Sequence, residues 1–357
     1  AIRSVSQRSN ADVSDFIENW LRTNGFDEIE RLEYTDDNGE RKVSLVAKKG
    51  EGTGGLAFLS HSDTVPGMED EWGAFDPVVK DGRLYGRGSC DMKGPLAATM
   101  IAAASVDPAK LNKPIYVVVT SDEEIGLVGA KYVADHSELL KTSQPEYGVV
   151  AEPTSVIPVY AHKGGGRVFV TARGIAAHTS SGKGVSASIK LAPFLAEMAE
   201  LNTRFLTDES YMNHDFDPPT NGFNLNFHDE GIGNITSATA NCTVSIRSMP
   251  DARYEEIIDE IIAKAESYGF ETDSSMLHPV FTDVDSPLVQ AACEATGISD
   301  PQTVPYGTDG FHFQSLMKLV VLGPGNIDVA HTVGEFVPVS ELESAVDIYT
   351  QMIDTLC

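Results

Sequence analysis

The sequence predicts an α/β protein whose mostly parallel sheet is interrupted by an inserted α+β domain. Three observations point there. Ile115-Tyr116-Val117-Val118-Val119-Thr120 is a β-branched run without a polar break, the pattern of a strand buried on both faces of a parallel sheet. The texture changes at Lys163-Gly164-Gly165-Gly166 and returns to α/β only from Pro279. Between those points the elements follow the order β-α-β-β-α-β of a small ferredoxin-like domain. The boundaries that result are 1–163 and 278–357 for the interrupted domain and 164–277 for the insert. A chain of 357 residues is also longer than one hydrophobic core usually serves.

The elements follow in order. Val13, Phe16, Ile17, Trp20 and Leu21 recur at helical spacing, and Gly25 suits a stop, so a helix spans about 12–25. After the turn Asp36-Asp37-Asn38-Gly39, residues 42–49 alternate as a strand. Leu56-Ala57-Phe58-Leu59 is an apolar strand that runs into His61 and Asp63. Gly-rich 83–88 leads through Asp91 to a small-residue helix at 96–104. The strand 115–120 ends in Asp122-Glu123-Glu124, a helix covers 129–140, and a strand at 147–150 ends in Glu152-Pro153. The insert reads as strand 167–173, helix 185–202, strands 223–228 and 240–246, helix 254–268 and strand 270–273. A helix after Pro287, a strand at 318–322 and a helix at 340–356 complete the first domain.

Composition narrows the function. The formal net charge is −27, from 53 acidic against 26 basic residues, and such a field repels phosphate backbones and anionic membranes. Nucleic acid and membrane are therefore not expected as partners. No run approaches the ~18 apolar residues of a membrane span, and residues 1–6 carry no apolar signal core. Four cysteines (Cys90, Cys242, Cys293, Cys357) are scattered without a CxxC pair, which fits reduced thiols in a cytoplasmic enzyme. Most of the acidic excess must be solvated surface, with adaptation to salty surroundings as one reading. Gly86-Arg87-Gly88 is too short for a dinucleotide fingerprint, and no GxSxG elbow occurs.

Polar residues at the strand ends carry the chemistry. Side chains two apart in an extended chain point the same way, so His61 and Asp63 share one spot at the carboxyl end of a strand. Ligands of α/β proteins bind there. Asp63 is either the carboxylate that orients a ligating His61 or a ligand itself; a surface histidine after a strand is the plain alternative. Asp91, Glu123 with Glu124, and Glu152 end further strands or turns, and His331 follows the last strand. Adjacent buried carboxylates need compensation, which divalent cations supply. Two His with three carboxylates suit Zn²⁺, and Co²⁺ or Mn²⁺ by ligand type. Two such ions activate a water and polarise a carbonyl together, and a glutamate left free takes the proton.

The motifs His61-Ser-Asp63-Thr-Val-Pro, Tyr85-Gly-Arg-Gly-Ser-Cys-Asp91-Met-Lys-Gly, Ser121-Asp-Glu123-Glu124-Ile-Gly, Ala151-Glu152-Pro-Thr and Ala330-His331-Thr332…Glu335 stand in one order over almost the whole chain. Together they resemble the dinuclear zinc family of acetylornithine deacetylase, succinyl-diaminopimelate desuccinylase, aminoacylase and glutamate carboxypeptidase. The resemblance implies a zinc-peptidase-like catalytic domain and an inserted dimerisation or lid domain. It implies that Asp91 bridges two metals, with His61 and Glu152 on one, and Glu124 and His331 on the other. Glu123 becomes the general acid/base, Asp63 the carboxylate behind His61, and Asp91-Met92 a cis peptide. His178, in Gly174-Ile-Ala-Ala-His178-Thr-Ser, resembles a lid histidine that stabilises the oxyanion in a neighbouring subunit; a capping role is its alternative. Arg247 stands where the family binds a substrate carboxylate, or it pairs with one of the many acids. Asn234 and the loop Gly307-Thr308-Asp309 resemble substrate-approaching segments. Asn234-Ile-Thr-Ser departs from the family's usual Asn-Val-Ile-Pro, and Gly334 replaces the usual Asp or Asn before Glu335.

What the resemblance implies is hydrolysis of the amide bond of an N-acyl amino acid, in the manner of acetylornithine deacetylase, by a homodimer. Cys90, Glu152-Pro-Thr and Ala161-His162-Lys163-Gly164 lean to that side of the family. A carboxypeptidase or dipeptidase acting on short peptides is the runner-up, and a binding protein that kept the fold is the reading from another class.

Overall fold

Four strands lie side by side and parallel at the centre of the large sheet in this computed structural model, which describes residues 2–229 and 231–357. In spatial order they are Ile115–Thr120, Leu56–His61, Tyr147–Val150 and Lys318–Val321. Every residue of the first two is buried, which explains their unbroken apolar sequences. Arg41–Lys49 pairs antiparallel with Ile115–Thr120, and Glu28–Thr35 closes that side. Val159–His162 continues the sheet antiparallel on the other side. The centre of the sheet is thus parallel, as the sequence predicts, with antiparallel strands on either side.

Glu28–Thr35 is an addition to the sequence reading. Its sequence, EIERLEYT, puts charge on an edge strand whose one fully buried residue is Leu32, so no apolar run announces it. The helix expected at 129–140 is two helices, Val128–His136 and Glu138–Ser143. Ser137 ends the first and caps the second, its hydroxyl accepting the Leu140 N–H at 3.1 Å, a contact typically worth about 1 kcal/mol. Gly129, in the first turn of Val128–His136, lies against the acidic turn: a Cβ there would sit 2.1 Å from the Ser121 carbonyl oxygen. Helices Lys93–Ser105 and Val339–Leu356 pack in the main core through Ala98, Ala102 and Ala345, with Tyr349 against Phe58.

The chain divides into two compact units. One takes the chain to Ala161 with Phe281–Gln302 and Thr308–Cys357; the other takes His162–Val280 with Thr303–Gly307. The second unit has its own antiparallel sheet, ordered Gly222–Asp229, Thr239–Arg247, Gly165–Arg173, Glu271–Leu277. Numbered along the chain this is 2-3-1-4, the arrangement of a ferredoxin-like fold. Helices Ala187–Thr207 and Tyr254–Ser267 cover one face, where Val168, Val170, Val244 and Ile246 meet Leu191, Phe194, Ile257 and Ile261. The alternation in Gly165–Arg173, buried at every second residue, is that of a sheet with one covered face.

Candidate metal centre

Parallel strands bring their carboxyl ends to one edge, and the polar residues of the first unit meet there. His61 closes its strand and is 1% exposed. Its Nε2 lies 2.9 Å from Asp91 Oδ1 and 3.6 Å from Glu152 Oε1, while Nδ1 faces Asp63, 3.5 Å from Oδ1. His331, whose backbone is left-handed (φ 62°), brings its Nε2 to 3.1 Å from Asp91 Oδ2 and 3.0 Å from Glu124 Oε2. Two groups of donor atoms result, His61/Asp91/Glu152 and Asp91/Glu124/His331, each with its atoms within 4.8 Å of one another. Asp91 gives one oxygen to each.

The electrostatics call for cations. Burial pushes the Glu152 carboxyl well above its usual range, and Asp91 adds to this. Burial does the same to Glu123, opposed by His61 and aided by Glu152. His61 is pulled down by burial, but hydrogen bonds with Asp63 and Asp91 outweigh this and leave it well above the ordinary histidine value. Hydrogen bonds with Asp91 and Glu124 raise His331 to about 10. Two imidazoles thus face more carboxylates than they can neutralise, and their nitrogens and the carboxylate oxygens are the donors that divalent first-row ions and Zn²⁺ prefer. The residues fit a pair of such ions.

Other groups hold these side chains in place. Asp63 accepts the backbone N–H groups of Glu123 at 3.2 Å and Glu124 at 3.4 Å. Glu335 is fully buried; its Oε1 accepts the N–H groups of Cys90 (2.9 Å) and Asp91 (3.1 Å), and its Oε2 pairs with Arg87 at 2.6 Å. The Asp91-Met92 peptide is cis. Asp309, 2% exposed, accepts the Thr120 hydroxyl at Oδ2, while its buried Oδ1 has no hydrogen-bond partner. Burial lifts its pKa to about 7. Sequence reasoning quoted Glu335 without giving it a role and missed Arg87; the spacing of Glu335 from His331 was the available signal.

Thr308 also lies in the first unit, buried, its hydroxyl accepting the Gly310 N–H at 3.0 Å. His178, Asn234, Arg247 and Gly307 belong to the second. There His178 and Asn234 are brought together, since the Thr179 N–H donates to the Asn234 carbonyl at 2.9 Å. His178 is exposed, and its Nδ1 lies 3.3 Å from the Ser180 backbone nitrogen and 2.6 Å from the Ser180 hydroxyl. Arg247 is exposed, with no ion pair among the described residues.

Comparison with known proteins bears on this geometry. A family model described as peptidase family M20/M25/M40 matches residues 57–355. An acetylornithine deacetylase of Myxococcus xanthus is 33% identical over all of this chain and 95% of its own length. Another, of Proteus mirabilis, is 31% identical over all of this chain and 93% of its own. A tripeptidase from Staphylococcus aureus superposes with a TM-score of 0.74 at 20% identity, covering 99% of this chain and 94% of that one. A dinuclear metal-binding M20 peptidase from Bacillus subtilis does so with a TM-score of 0.68 at 15% identity, over 99% and 93%.

Proposed function

We propose that this chain, which belongs to peptidase family M20/M25/M40, hydrolyses the amide bond of a small N-acyl amino acid in the manner of an acetylornithine deacetylase. The enzyme is a metal-dependent hydrolase. Two relatives of that name, alike over the full chain, support the deacetylase reading. The observation that carries it is the division of Asp91, whose two oxygens face two separate donor groups.

In this reading His61, Glu152 and Asp91 hold one divalent ion, and Asp91, Glu124 and His331 the other, with Zn²⁺ as the ion proposed. Ions held there supply Lewis acidity, polarising a carbonyl and lowering the pKa of a water. Asp63 would fix the His61 ring at Nδ1, with its carbonyl oxygen at 3.1 Å and its carboxylate at 3.5 Å. This leaves Nε2 on the side of Asp91 and Glu152, where it could serve as a donor to an ion. Glu123 takes the proton of the attacking water and passes it to the leaving amine nitrogen. His178 of a second copy of the chain would donate a ring N–H to the oxyanion that forms as the carbonyl carbon becomes tetrahedral. Arg247 receives the substrate carboxylate as a bidentate partner, and Asn234, Gly307 and Thr308 line its approach.

The second unit is proposed as a dimerisation and lid domain, with the dimer formed by two copies of it. Ile189 is 76% exposed and Ile232 65%, and among the described residues Gly222–Asp229 is paired on one side only. Ile189→Asp is expected to turn a dimer into a monomer in light scattering. A cytoplasmic location is proposed from the four unpaired cysteines.

The deciding experiment offers the purified protein, loaded with Zn²⁺ or Co²⁺, a panel of N-acetyl amino acids including N-acetylornithine, N-succinyl amino acids and dipeptides. Release of acetate from the N-acetyl substrates is expected to dominate. Turnover confined to dipeptides would replace this reading with a dipeptidase, and no turnover of any member would overturn it.

A further inference from the structure

We infer that Lys42 is a positioning residue for the hydrolysis, closing a ring of buried contacts that fixes Glu123 and Asp63 as one body. The inference rests on the reading of Glu123 as the proton carrier.

Lys42 is fully buried, unusual for a lysine, and all three N–H donors of its ammonium are used. One goes to Asp122 Oδ1 at 2.7 Å, one to the Arg8 carbonyl at 3.0 Å and one to the Ser6 carbonyl. The Ser6 hydroxyl donates to Asp63 Oδ2 at 2.8 Å. Asp63 accepts the Glu123 N–H, and Glu123 follows Asp122 in the chain. The path therefore closes on itself: Lys42, Asp122, Glu123, Asp63, Ser6, Lys42.

Asp122 stands at φ 54°, a left-handed conformation that costs a non-glycine residue free energy and persists where the surroundings over-determine it. Its carboxylate is held by Lys42 on one side and by the Tyr34 hydroxyl, 2.7 Å from Oδ2, on the other. The same bonds that hold Asp122 in that conformation set where the next two residues leave the strand. Those residues are Glu123 and the ligand Glu124. Ser6 gives Lys42 its second line of action, since Asp63 orients His61. Truncating any member loosens both the proton carrier and the imidazole, without removing a metal donor.

Removing Lys42 alone leaves Asp122 and the buried Oδ2 of Asp36, 3.6 Å from the ammonium, without a counter-ion and threatens folding. The test therefore uses the neutral set Lys42→Met, Asp122→Asn and Asp36→Asn, and separately Ser6→Ala, which leaves the ion pairs intact. Lys49 serves as the control, a second buried lysine whose ammonium binds the Ala103 and Ala104 carbonyls away from the ring. Each variant is assayed with the wild type's best substrate, with metal content and melting temperature measured alongside. The expected result is a kcat lowered about 10-fold or more in both ring variants, the scale of orienting contacts at metal sites. KM should stay within about twofold and two metals remain bound. Lys49→Met is expected to lower the melting temperature and leave kcat unchanged. Wild-type kcat in folded Ser6→Ala, or an equal loss of kcat in Lys49→Met, overturns the inference. A wild type that turns over no substrate overturns the functional reading instead, so the two failures are distinct.

Discussion

The two donor groups share a carboxylate and little else. In the first, His61 is 1% exposed and backed by Asp63, which is in turn bound by Ser6 and by two backbone amides. In the second, the His331 side chain is 49% exposed and sits on a loop in a left-handed conformation. Both imidazoles are raised by their carboxylates and release a proton as an ion arrives; the buried one is already held on both nitrogens, whereas the open one must also be ordered. The two groups therefore differ in how far their histidines are held in place before any ion binds.

The largest expected effect tests the assumption that Glu123 belongs to neither group. Glu123→Ala should lower kcat by about 10²–10⁴-fold, the usual contribution of a general base, with two metals per chain still found by elemental analysis. Loss of one metal would make Glu123 a ligand and dissolve the division drawn above. Next comes Asp63→Ala, which should weaken the buried site by roughly 10–100-fold and spare the open one. Chelator titration reads this as a shift in one of two phases; an equal shift in both would show that the two sites are not separately supported.

A pH experiment probes the imidazoles of both groups. In the metal-free protein His331 is raised from 6.5 to about 10 by Asp91 and Glu124. A raised histidine contributes stability that is complete below its unfolded value and is lost as pH climbs through the folded one. The melting temperature of the chelated protein should therefore fall between pH 6.5 and 10, and His331→Ala should lessen that fall, the raised His61 supplying the remainder. Metal affinity of the open group should rise over the same window, because binding releases the proton. The smallest effect concerns the surface. With a net charge of −27, screening by salt should raise the melting temperature, by roughly 2–4 °C per kcal/mol of repulsion removed. An unchanged melting temperature would show that the acids do not repel one another measurably.

What the sequence made legible follows from what burial does to residue choice. Apolar runs such as 56–59 and 115–119 are short and rich in strand-forming residues, so they read as strands inside a sheet. The acids and histidines that end them are therefore expected at one edge. The five proposed ligands were found that way and by resemblance. Residues whose partners lie far along the chain left no such trace. Arg87 and Glu335 are 248 positions apart, and neither carries a local pattern announcing a buried pair. Lys42 opens an alternating strand, where a lysine reads as solvent-facing, and only the folded chain shows its ammonium among carbonyls. Ser137 sits inside a helical pattern and breaks it because a serine hydroxyl can cap the next helix.

The sharing of Asp91 has a consequence in time as well as in space. His61 and Asp91 are 30 positions apart, whereas Glu124 and His331 are separated by 207. At a synthesis rate of about 5–20 residues per second, the longer separation takes roughly 10–40 s to traverse. For much of that interval a ribosome-bound chain carries every donor of the buried group and all but one of the open group. The final imidazole emerges only after Lys318–Val321, the strand that completes the parallel sheet.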